Sequence, residues 1–353
     1  MKTIKDIDVK DKIVLVRVDY NVPLKDGKVA SDLRIRASLP TIEYLKNHGA
    51  KKIILISHLG RPEGKIDMDY SLSPVAETLR ELLNDPKIGF YSLPDDGEKI
   101  KIPADVKIAL LENLRFDPRE EANDSDFIKN IVSSVDADLF VQDGFAVVHR
   151  AHASTDAVKN FLPIYAGLLL ENEVKNLKKA IDSPDHPLTI IIGGAKVSDK
   201  DPLIEKFYNL SDQILIGGKI AADGYQPKDD PAHKIYVAED FDEDESGAKL
   251  DIGPISTAEF AKVIEHSRTI IWNGVLGYTE DPAYATASTI VATLLGEAKD
   301  ITTIICGGDT TGFVENLAES HPNLQYDLVS TGGGAALEFL LGHELPGLTN
   351  IQS

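Results

Sequence analysis

The sequence is poor in cysteine, in long apolar runs and in positive charge, and each shortage excludes a class of protein. A single cysteine, Cys306, among 353 residues rules out an internal disulfide and a zinc centre built from cysteines. No run of 18 apolar residues is present, and residues 1–12 are too polar for a signal peptide. The formal net charge of −20 argues against nucleic acid or an anionic membrane as a partner. We therefore expect a cytoplasmic protein that acts on neither.

The few arginines are concentrated in one half of the chain and the glycines in the other. Eight of the nine arginines lie in the first 150 residues, whereas 19 of the 26 glycines come after residue 150. At 353 residues the chain is about twice the usual domain size, so these counts predict two domains of different chemistry. Because the protein is acidic overall, an anionic ligand must be held by a local group of cations.

Each predicted strand of the first half is followed by a polar loop. Apolar runs predict buried strands at 12–18, 52–57, 107–111 and 139–142, with helices between them. This alternation predicts a parallel sheet in which ligands bind beyond the carboxyl ends of the strands. Guanidinium groups there would bind a small, multiply anionic ligand, although scattered surface arginines are the alternative. The side chains that should converge on the ligand are Asp19, Asn21, His58, Arg61, Arg115 and Arg150.

Local signals in and after this half lead to three further predictions. His149 and His152 are three residues apart but lack a third metal ligand at matching spacing, so hydrogen bonding to the anion or the loop is favoured. Arg34 precedes a predicted helix that has Pro40 in its first turn. Residues 165–181 have apolar positions at helical spacing and are predicted to connect the two halves.

The second half repeats one design, an apolar strand that ends in glycine. Its clearest example is the sequence LTIIIGGAKVSDK at residues 188–200, which predicts a buried strand, a glycine turn and a helix capped by Ser198. Lys196 and Lys200 are one helical turn apart, as a phosphate site would require, although an ordinary turn with solvated lysines fits equally well. Further strands of this kind are predicted at 213–216, 269–272, 303–306 and 326–329.

Bare backbone at the strand ends suits a phosphate and a planar base. Amides at helix N-termini bind phosphate, and glycines leave flat slots beside them. Asp309, in the sequence GGDTT, could reach a phosphate-bound Mg²⁺ or could cap its own helix. Neither a G-x-x-x-x-G-K-[ST] loop nor a G-x-G-x-x-G fingerprint occurs, which disfavours a dehydrogenase.

Taken in order along the whole chain, the motifs resemble the phosphoglycerate kinase family. They are VRVDYNVPLKDGKV, LRIRASLPTI, SHLGRPEG, LLENLRF, HRAHAS, GGAKVSDK, WNG, GGDTT and STGGGAALEFLLGHELPG. The resemblance implies an enzyme that reversibly transfers a phosphoryl group between MgATP and 3-phosphoglycerate, giving MgADP and 1,3-bisphosphoglycerate. It also implies an α/β fold of two doubly wound parallel-sheet (Rossmann-like) domains, joined by a hinge helix and closing over the substrates.

The resemblance also implies the site residues at the matching positions. Arg34 and Lys200 would be the main catalytic clamps on the moving phosphoryl group, assisted by Gly308 and Gly333, and Asp309 would hold Mg²⁺. Phosphoglycerate would be bound by Asp19, Asn21, Arg34, His58, Arg61, Arg115 and Arg150. The nucleotide would be bound by Lys196, Lys200, Gly217, Asn273, Glu280, Gly307, Gly308, Asp309, Thr310, Gly332, Gly333 and Gly334.

By the same resemblance, the domains can be assigned to stretches of the chain. Residues 1–164 would bind phosphoglycerate, 165–182 would form the hinge helix and 183–339 would bind the nucleotide. The tail, about 340–353, would pack back on the first domain. We expect a monomer.

Three positions depart from the family pattern. Val275 replaces a proline, Lys219 stands where a third glycine is frequent, and residues 142–146 read QDGFA where NDAFG is usual. These changes affect binding surfaces, so nucleotide preference stays open. The alternatives are a nonenzymatic relative that binds a nucleotide or a phosphometabolite, and a kinase that phosphorylates another small acid.

Overall fold

The computed structural model describes residues 1–194, 200–227, 230–349 and 351. They form two compact units. The first unit comprises Met1–Asn172 together with Glu344–Ser353, and the second comprises Glu173–His343. In these ranges, no helix has both the length and the apolar character needed to cross a membrane.

A six-stranded, entirely parallel sheet forms the centre of the first unit, in the order β5-β6-β4-β1-β7-β8. Its four central strands, β6, β4, β1 and β7, are rich in apolar residues and largely buried, as expected where helices cover both faces. A short antiparallel hairpin, β2–β3, follows the first strand. The strands are β1 (Ile13–Arg17), β2 (Leu24–Lys25), β3 (Lys28–Val29), β4 (Lys52–Ile56), β5 (Gly89–Tyr91), β6 (Ile108–Leu111), β7 (Leu139–Gln142) and β8 (Ile164–Ala166).

The first helix of this unit corrects a prediction. It begins at Leu33, so Pro40 lies in its interior rather than in its first turn, and Arg34 lies within the helix rather than before it. Proline removes only one backbone hydrogen bond, to the carbonyl of the exposed Arg36, which water can reach. The helices are α1 (Leu33–Asn47), α2 (Ser73–Leu82), α3 (Pro118–Glu121), α4 (Ser125–Ser134) and α5 (Leu168–Asp182).

The second unit has its own parallel sheet of six strands, in the order β11-β10-β9-β14-β15-β16. In chain order this is 3-2-1-4-5-6, with the direction of winding reversing between β9 and β14. An antiparallel hairpin, β12–β13, precedes β14. The strands are β9 (Leu188–Ile192), β10 (Gln213–Ile216), β11 (Ile235–Val237), β12 (Phe241–Glu243), β13 (Lys249–Ile252), β14 (Thr269–Asn273), β15 (Thr302–Cys306) and β16 (Leu328–Val329).

Helices flank this second sheet, and the last short helix returns to the first unit. There the amide of Gly347 donates to the carbonyl of Val148 at 2.8 Å. The remaining helices are α6 (Asp201–Tyr208), α7 (Gly218–Ala222), α8 (Pro254–His266), α9 (Thr286–Glu297), α10 (Gly308–Ser320), α11 (Gly333–Leu341) and α12 (Pro346–Thr349).

The predicted α/β class, with two parallel sheets, is confirmed. Each predicted strand is present within two residues of its predicted ends. The predicted connecting helix begins three residues later than expected, at Leu168, because Ile164–Ala166 pairs with β7 as an edge strand. That helix, α5, contains the boundary between the two units, at Asn172 and Glu173. Its role as a hinge remains a prediction.

Candidate active site

In the first unit, the loops that follow β1 and β4 are tied together by the predicted polar residues. Asp19, which is buried, accepts a hydrogen bond from the guanidinium of Arg34 in the first turn of α1. Its other carboxylate oxygen accepts from the amide of Asn21 at 3.1 Å. The side chain of Asn21 in turn accepts from the amide of Gly60 at 2.9 Å. Asn21 and Gly60, 39 positions apart in sequence, are thereby linked at the carboxyl edge of the sheet.

Two predicted arginines differ in how they are held. Arg115 is buried, donates to the carbonyl of Gly60 at 2.7 Å, and has its Nε 2.9 Å from the carboxylate of Glu121. Arg61 is exposed on the loop after β4. Burial lowers the pKa of Arg115, and the nearby charges of Arg150 and Arg61 lower it further. The three predicted arginines therefore lie within electrostatic reach of one another.

The histidines of this unit report a strongly positive environment. Burial, followed by the charges of Arg17 and Arg115, holds the pKa of His58 well below its usual value. The same three causes lower the pKa of His152 to about 4. Both imidazoles are therefore neutral at pH 7, and the positive charge of the surrounding guanidinium groups is available to an anion. Within the described ranges, no group of three or more histidine, cysteine, aspartate or glutamate side chains could hold a metal ion, and the hydrogen-bonding role of His149 and His152 stays a prediction.

Sequence reasoning did not assign a role to Arg17. It is the last residue of β1, it is 1 % exposed, and it lies beside His58. An arginine inside the otherwise apolar run KIVLVRV was the available signal, because a buried arginine requires partners.

In the second unit, three glycine turns meet where the strand order reverses, beyond the ends of β9, β10 and β14. A Cβ on Gly193 would lie 2.2 Å from the carbonyl oxygen of Val275, and one on Gly274 would lie 2.2 Å from that of Gly193. A Cβ on Gly218 would lie 2.7 Å from the same Val275 oxygen. Only glycine permits these approaches, so the predicted bare backbone edge is real.

A cavity of about 210 Å³ opens beside these turns. Glu280 and Asp309, both assigned to the nucleotide, line it. Val275 and Lys219, two of the departures from the family pattern, line it as well. Gly217 packs against the lining residue Leu276, since a Cβ on Gly217 would lie 2.8 Å from the Leu276 side chain. The other lining residues are Gly194, Gly218, Ala222, Phe241, Lys249, Leu250, Asp251, Leu276, Gly277 and Tyr278.

Lys200 and Asn273 are in direct contact. Lys200 is the residue before α6 rather than part of a helix, and its Nζ donates to Oδ1 of Asn273 at the end of β14. Nδ2 of Asn273 donates to the buried Sγ of Cys306 at 3.3 Å, which fixes the amide orientation. Lys196 and Ser198 lie outside the described residues. The predicted pair of lysines is therefore represented here by Lys200 alone.

The N-termini of α10 and α11 bring two glycine turns close together. Gly307 and Gly333 have φ values of 95° and 31°, and a Cβ on Gly333 would lie 3.7 Å from the amide nitrogen of Gly308. Asp309 is exposed in the first turn of α10. The hydroxyl of Thr310 is buried and accepts from the amide of Gly274 at 2.8 Å, so it ties α10 to β14.

The glycine turn at the start of α11, residues 332–334, is buried at its start and exposed at its end. Gly332 is buried and donates its amide to Ser330 at 3.1 Å, whereas Gly334 is exposed. The amides of this turn and of α10 therefore open at neighbouring positions of the same sheet edge.

The family of the chain is established by comparison with known proteins. The sequence pattern of the family described as "PGK: Phosphoglycerate kinase" matches residues 4–229 and 222–343. The chain belongs to the phosphoglycerate kinase family. This membership makes it a kinase, that is, a phosphotransferase.

Relatives and solved structures of the phosphoglycerate kinase family resemble the chain over nearly its whole length. Phosphoglycerate kinases of Dictyoglomus turgidum and Moorella thermoacetica are 40% and 39% identical to it, each over 99% of this chain and 98% of the relative. The structure of phosphoglycerate kinase from Coxiella burnetii has a TM-score of 0.80 and 32% identity, covering 99% of this chain and 98% of the other. That from Pyrococcus horikoshii OT3 has a TM-score of 0.83 and 27% identity, covering 100% and 98%.

The chain lacks counterparts for part of its alignment with one of these relatives. The alignment with the Dictyoglomus protein is 395 residues long, 42 more than the 353 residues of this chain, so at least that many aligned positions have no counterpart here. The two family matches meet at residues 222–229, directly after α7. This chain therefore departs from the family pattern next to the cavity lined by Lys219.

Proposed function

We propose that the chain reversibly transfers a phosphoryl group between MgATP and the carboxylate of 3-phosphoglycerate, giving MgADP and 1,3-bisphosphoglycerate. The proposal is carried by one observation: each sheet presents a different half of the required chemistry at its carboxyl edge. A cluster of cations with neutral histidines lies in the first unit. A glycine-walled cavity lies in the second.

The first unit would bind 3-phosphoglycerate. Its carboxylate and phosphate are both anions, and guanidinium groups bind either one with charge-assisted hydrogen bonds. Asp19 and Asn21 would hold the loops in register, and the neutral His58 would donate a hydrogen bond. The residues assigned to this substrate are Asp19, Asn21, Arg34, His58, Arg61, Arg115 and Arg150.

The second unit would bind the nucleotide. Its base and ribose would occupy the cavity beside Gly217 and Glu280, and its phosphates would reach Lys200, Asn273 and the amides at the starts of α10 and α11. Asp309 is an exposed carboxylate that lines this cavity, which is the ligand type Mg²⁺ prefers. When bound there, Mg²⁺ would neutralise phosphate charge. The other residues assigned to the nucleotide are Lys196, Gly307, Gly308, Thr310, Gly332, Gly333 and Gly334.

The transfer itself requires positioning and charge stabilisation rather than a base. The acceptor carboxylate is already ionised at neutral pH, so no proton has to be removed. A carboxylate oxygen forms a bond to the γ-phosphorus as the bond to the β-phosphate oxygen breaks, and ADP keeps that oxygen. Arg34 and Lys200 would clamp the moving PO₃ group, and the amides of Gly308 and Gly333 would donate to its oxygens.

A coupled assay with 3-phosphoglycerate, MgATP and the purified chain tests the proposal. We expect acyl phosphate formation that depends on all three components and stops when EDTA removes Mg²⁺. A panel of other phosphorylated acids should give much lower kcat/KM. Turnover with another acid but not with 3-phosphoglycerate, or nucleotide binding by calorimetry without any turnover, would contradict it.

We also propose that the protein works as a cytoplasmic monomer. One chain contains candidate residues for both substrates, so no second copy is needed to complete a site. The lone buried cysteine suits a reducing compartment. Sedimentation equilibrium should give the mass of a single chain, 38.5 kDa, and a mass of twice that value would overturn the monomer.

A further inference from the structure

All three guanidinium nitrogens of Arg17 contact polar groups of the first unit. It is 1 % exposed, and its guanidinium donates through Nε to the hydroxyl of Ser154 at 2.9 Å. One terminal nitrogen donates to the carbonyl of Val18 and lies 3.4 Å from the hydroxyl of Ser57. The other lies 3.1 Å from Nδ1 of His58, which is itself buried.

The buried carboxylate of Glu120 is linked to Arg17 through the hydroxyl of Ser154. Glu120 is fully buried and accepts from the hydroxyl of Ser154 at 2.6 Å and from the Ser154 amide at 3.1 Å. Glu120, Ser154, Arg17 and His58 therefore form one continuous chain of hydrogen bonds. Glu120 compensates the buried charge of Arg17, which a lone arginine could not maintain in this position.

The chemistry of this chain decides where the proton of His58 is. A guanidinium has donors only, so the contact between Arg17 and Nδ1 requires Nδ1 to accept. A neutral imidazole has one donor and one acceptor nitrogen, so its proton must be on Nε2. A carboxylate oxygen of Asp19 lies 3.9 Å from the same Nδ1, too far for a competing hydrogen bond.

We propose that Arg17 is a positioning residue that fixes His58 as the neutral Nε2–H tautomer, so that His58 presents a single N–H donor to an oxygen of the anionic substrate. The role of the donor rests on the proposed function, which assigns His58 to 3-phosphoglycerate; the tautomer itself does not. Without Arg17, Nδ1 could carry the proton and Nε2 would then face the anion with a lone pair. Because the protein already holds His58 in this tautomer, substrate binding does not have to supply the free energy of selecting it.

Long-range ¹H–¹⁵N correlation spectra of the histidine rings in the full chain at pH 7 test the tautomer directly. His58, assigned from the missing signals in His58→Gln, should show one acceptor nitrogen at Nδ1 and one protonated nitrogen at Nε2. This is expected with and without 3-phosphoglycerate. A protonated Nδ1 in the wild-type protein would overturn the proposal, whatever the activity.

Variants then test the role of Arg17. Arg17→Met should give mixed tautomers of His58 and raise the KM for 3-phosphoglycerate about tenfold or more, with the KM for ATP unchanged. Because this variant leaves Glu120 unpaired, Arg17→Met combined with Glu120→Gln provides a charge-matched second protein. Arg36→Met, which removes an arginine that is 57% exposed, is the control and should behave as wild type. Unchanged tautomers in both Arg17 variants would contradict the proposal.

The two proposals fail in different ways. Absence of turnover together with the Nε2–H tautomer would reject the proposed function and leave the positioning of His58 by Arg17 standing. Normal turnover together with an Nδ1–H tautomer would do the reverse.

Discussion

Arg34 shows how a single residue can be tested without disturbing the fold. Its side chain is 35% exposed and lies in the first turn of α1, where it pairs with Asp19. Asp19 keeps its hydrogen bond from the Asn21 amide when Arg34 is removed. Arg34 is thus available to a substrate while contributing little to the core.

We expect Arg34→Ala to lower kcat about 100-fold, because removing one preorganised donor to a transition-state oxyanion costs on the order of 10²–10³ in kcat. Its urea unfolding midpoint should stay close to that of the wild type. Arg36→Ala, two residues along the same helix, is the matched control and should retain full turnover. Steady-state kinetics with 3-phosphoglycerate and MgATP check both variants. Wild-type turnover in Arg34→Ala would remove this residue from the catalytic assignment.

At the residue scale, the sequence predicted which polar side chains gather but not how they are held. Asp19 and His58 were found because polar residues directly after buried strands share one sheet edge. The helical position of Arg34 was missed, because Pro40 was interpreted as a first-turn proline, whereas it lies in the interior of α1. Arg17 was missed because its partners, Ser154 and Glu120, are more than 100 residues away in sequence.

At the scale of elements, α7 offers a comparison between two glycines. Gly218 begins the helix and Gly224 follows it, with φ values of 62° and 83°, so alanine is strained at both positions. A Cβ on Gly218 would lie 2.7 Å from the Val275 oxygen and 2.9 Å from the Gly194 nitrogen. A Cβ on Gly224 has no atom within 4 Å. The two sites therefore share the backbone strain but differ in close approach and in burial, since Gly218 is buried and Gly224 is exposed.

We expect Gly218→Ala to weaken ADP binding at least tenfold, because the added methyl group forces apart the turns that form the nucleotide cavity. Gly224→Ala should leave ADP binding unchanged, while both variants lose on the order of 1 kcal/mol of stability from backbone strain. Calorimetric titration with ADP and urea unfolding measure the two effects. Equal ADP affinity in both variants would show that the close backbone approach at Gly218 does not shape the ADP site.

Helix α5 is associated with two buried carboxylates. Asp143 accepts from the amides of Leu169 and Leu170 at 3.0 and 3.3 Å, in the first turn of the helix. Glu173, on the helix itself, accepts from the amide and hydroxyl of Thr331 at 2.7 and 2.9 Å. Burial raises the pKa of each carboxyl to about 7, against the opposing effect of these hydrogen bonds.

These raised pKa values give a definite sign to the pH dependence of stability. The unfolded chain releases both protons near pH 4, whereas the folded chain keeps them until about pH 7. The folded state therefore binds more protons between these values, and the contribution of both groups to stability falls as the pH rises through that window. Above pH 7 the loss is complete.

Asp143→Asn and Glu173→Gln should each remove part of this slope, since an amide does not titrate. We expect the difference in unfolding free energy between pH 5 and pH 8 to change by at least about 1 kcal/mol per variant, relative to wild type. Urea unfolding at the two pH values measures it. Glu259→Gln, at a half-exposed position on α8 where Glu259 pairs with Lys262, is the control. The same slope in all four proteins would show that neither buried carboxyl titrates in this window.

Elements with strong apolar runs could be predicted, and short or polar ones could not. The acidic residues 239–245 carry no strand signal in the sequence, yet Phe241–Glu243 forms β12, paired with β13. The Lys249 ammonium lies 4.4 Å from the centre of the Phe241 ring, and Asp244 accepts amides of the turn between the strands. A three-residue strand with one apolar side chain leaves no period in the sequence, so only its tertiary partners reveal it.

At the scale of the whole molecule, the chemistry divides between the compact units. Eight of the nine arginines belong to the first unit, and the glycine turns beside the cavity proposed for the nucleotide belong to the second. The uneven counts of arginine and glycine along the sequence predicted this division. The paths of the edge strands β8 and β11 could not be predicted from composition.

The division of the candidate substrate residues between two units predicts a domain movement during transfer. In-line transfer needs the acceptor oxygen about 3–3.5 Å from the phosphorus, and an acyl phosphate must be protected from water. Candidate residues for acceptor and donor belong to different units, so both substrates together should stabilise a closed arrangement through α5.

X-ray scattering should therefore show a smaller radius of gyration with 3-phosphoglycerate and MgADP together than with either alone. This pair cannot react, so it isolates closure from turnover. Arg34→Ala should reduce the change, because the proposed clamp from the first unit is lost. An unchanged radius of gyration at saturating concentrations of both ligands would mean that transfer does not depend on domain closure. In that case α5 would not act as a hinge.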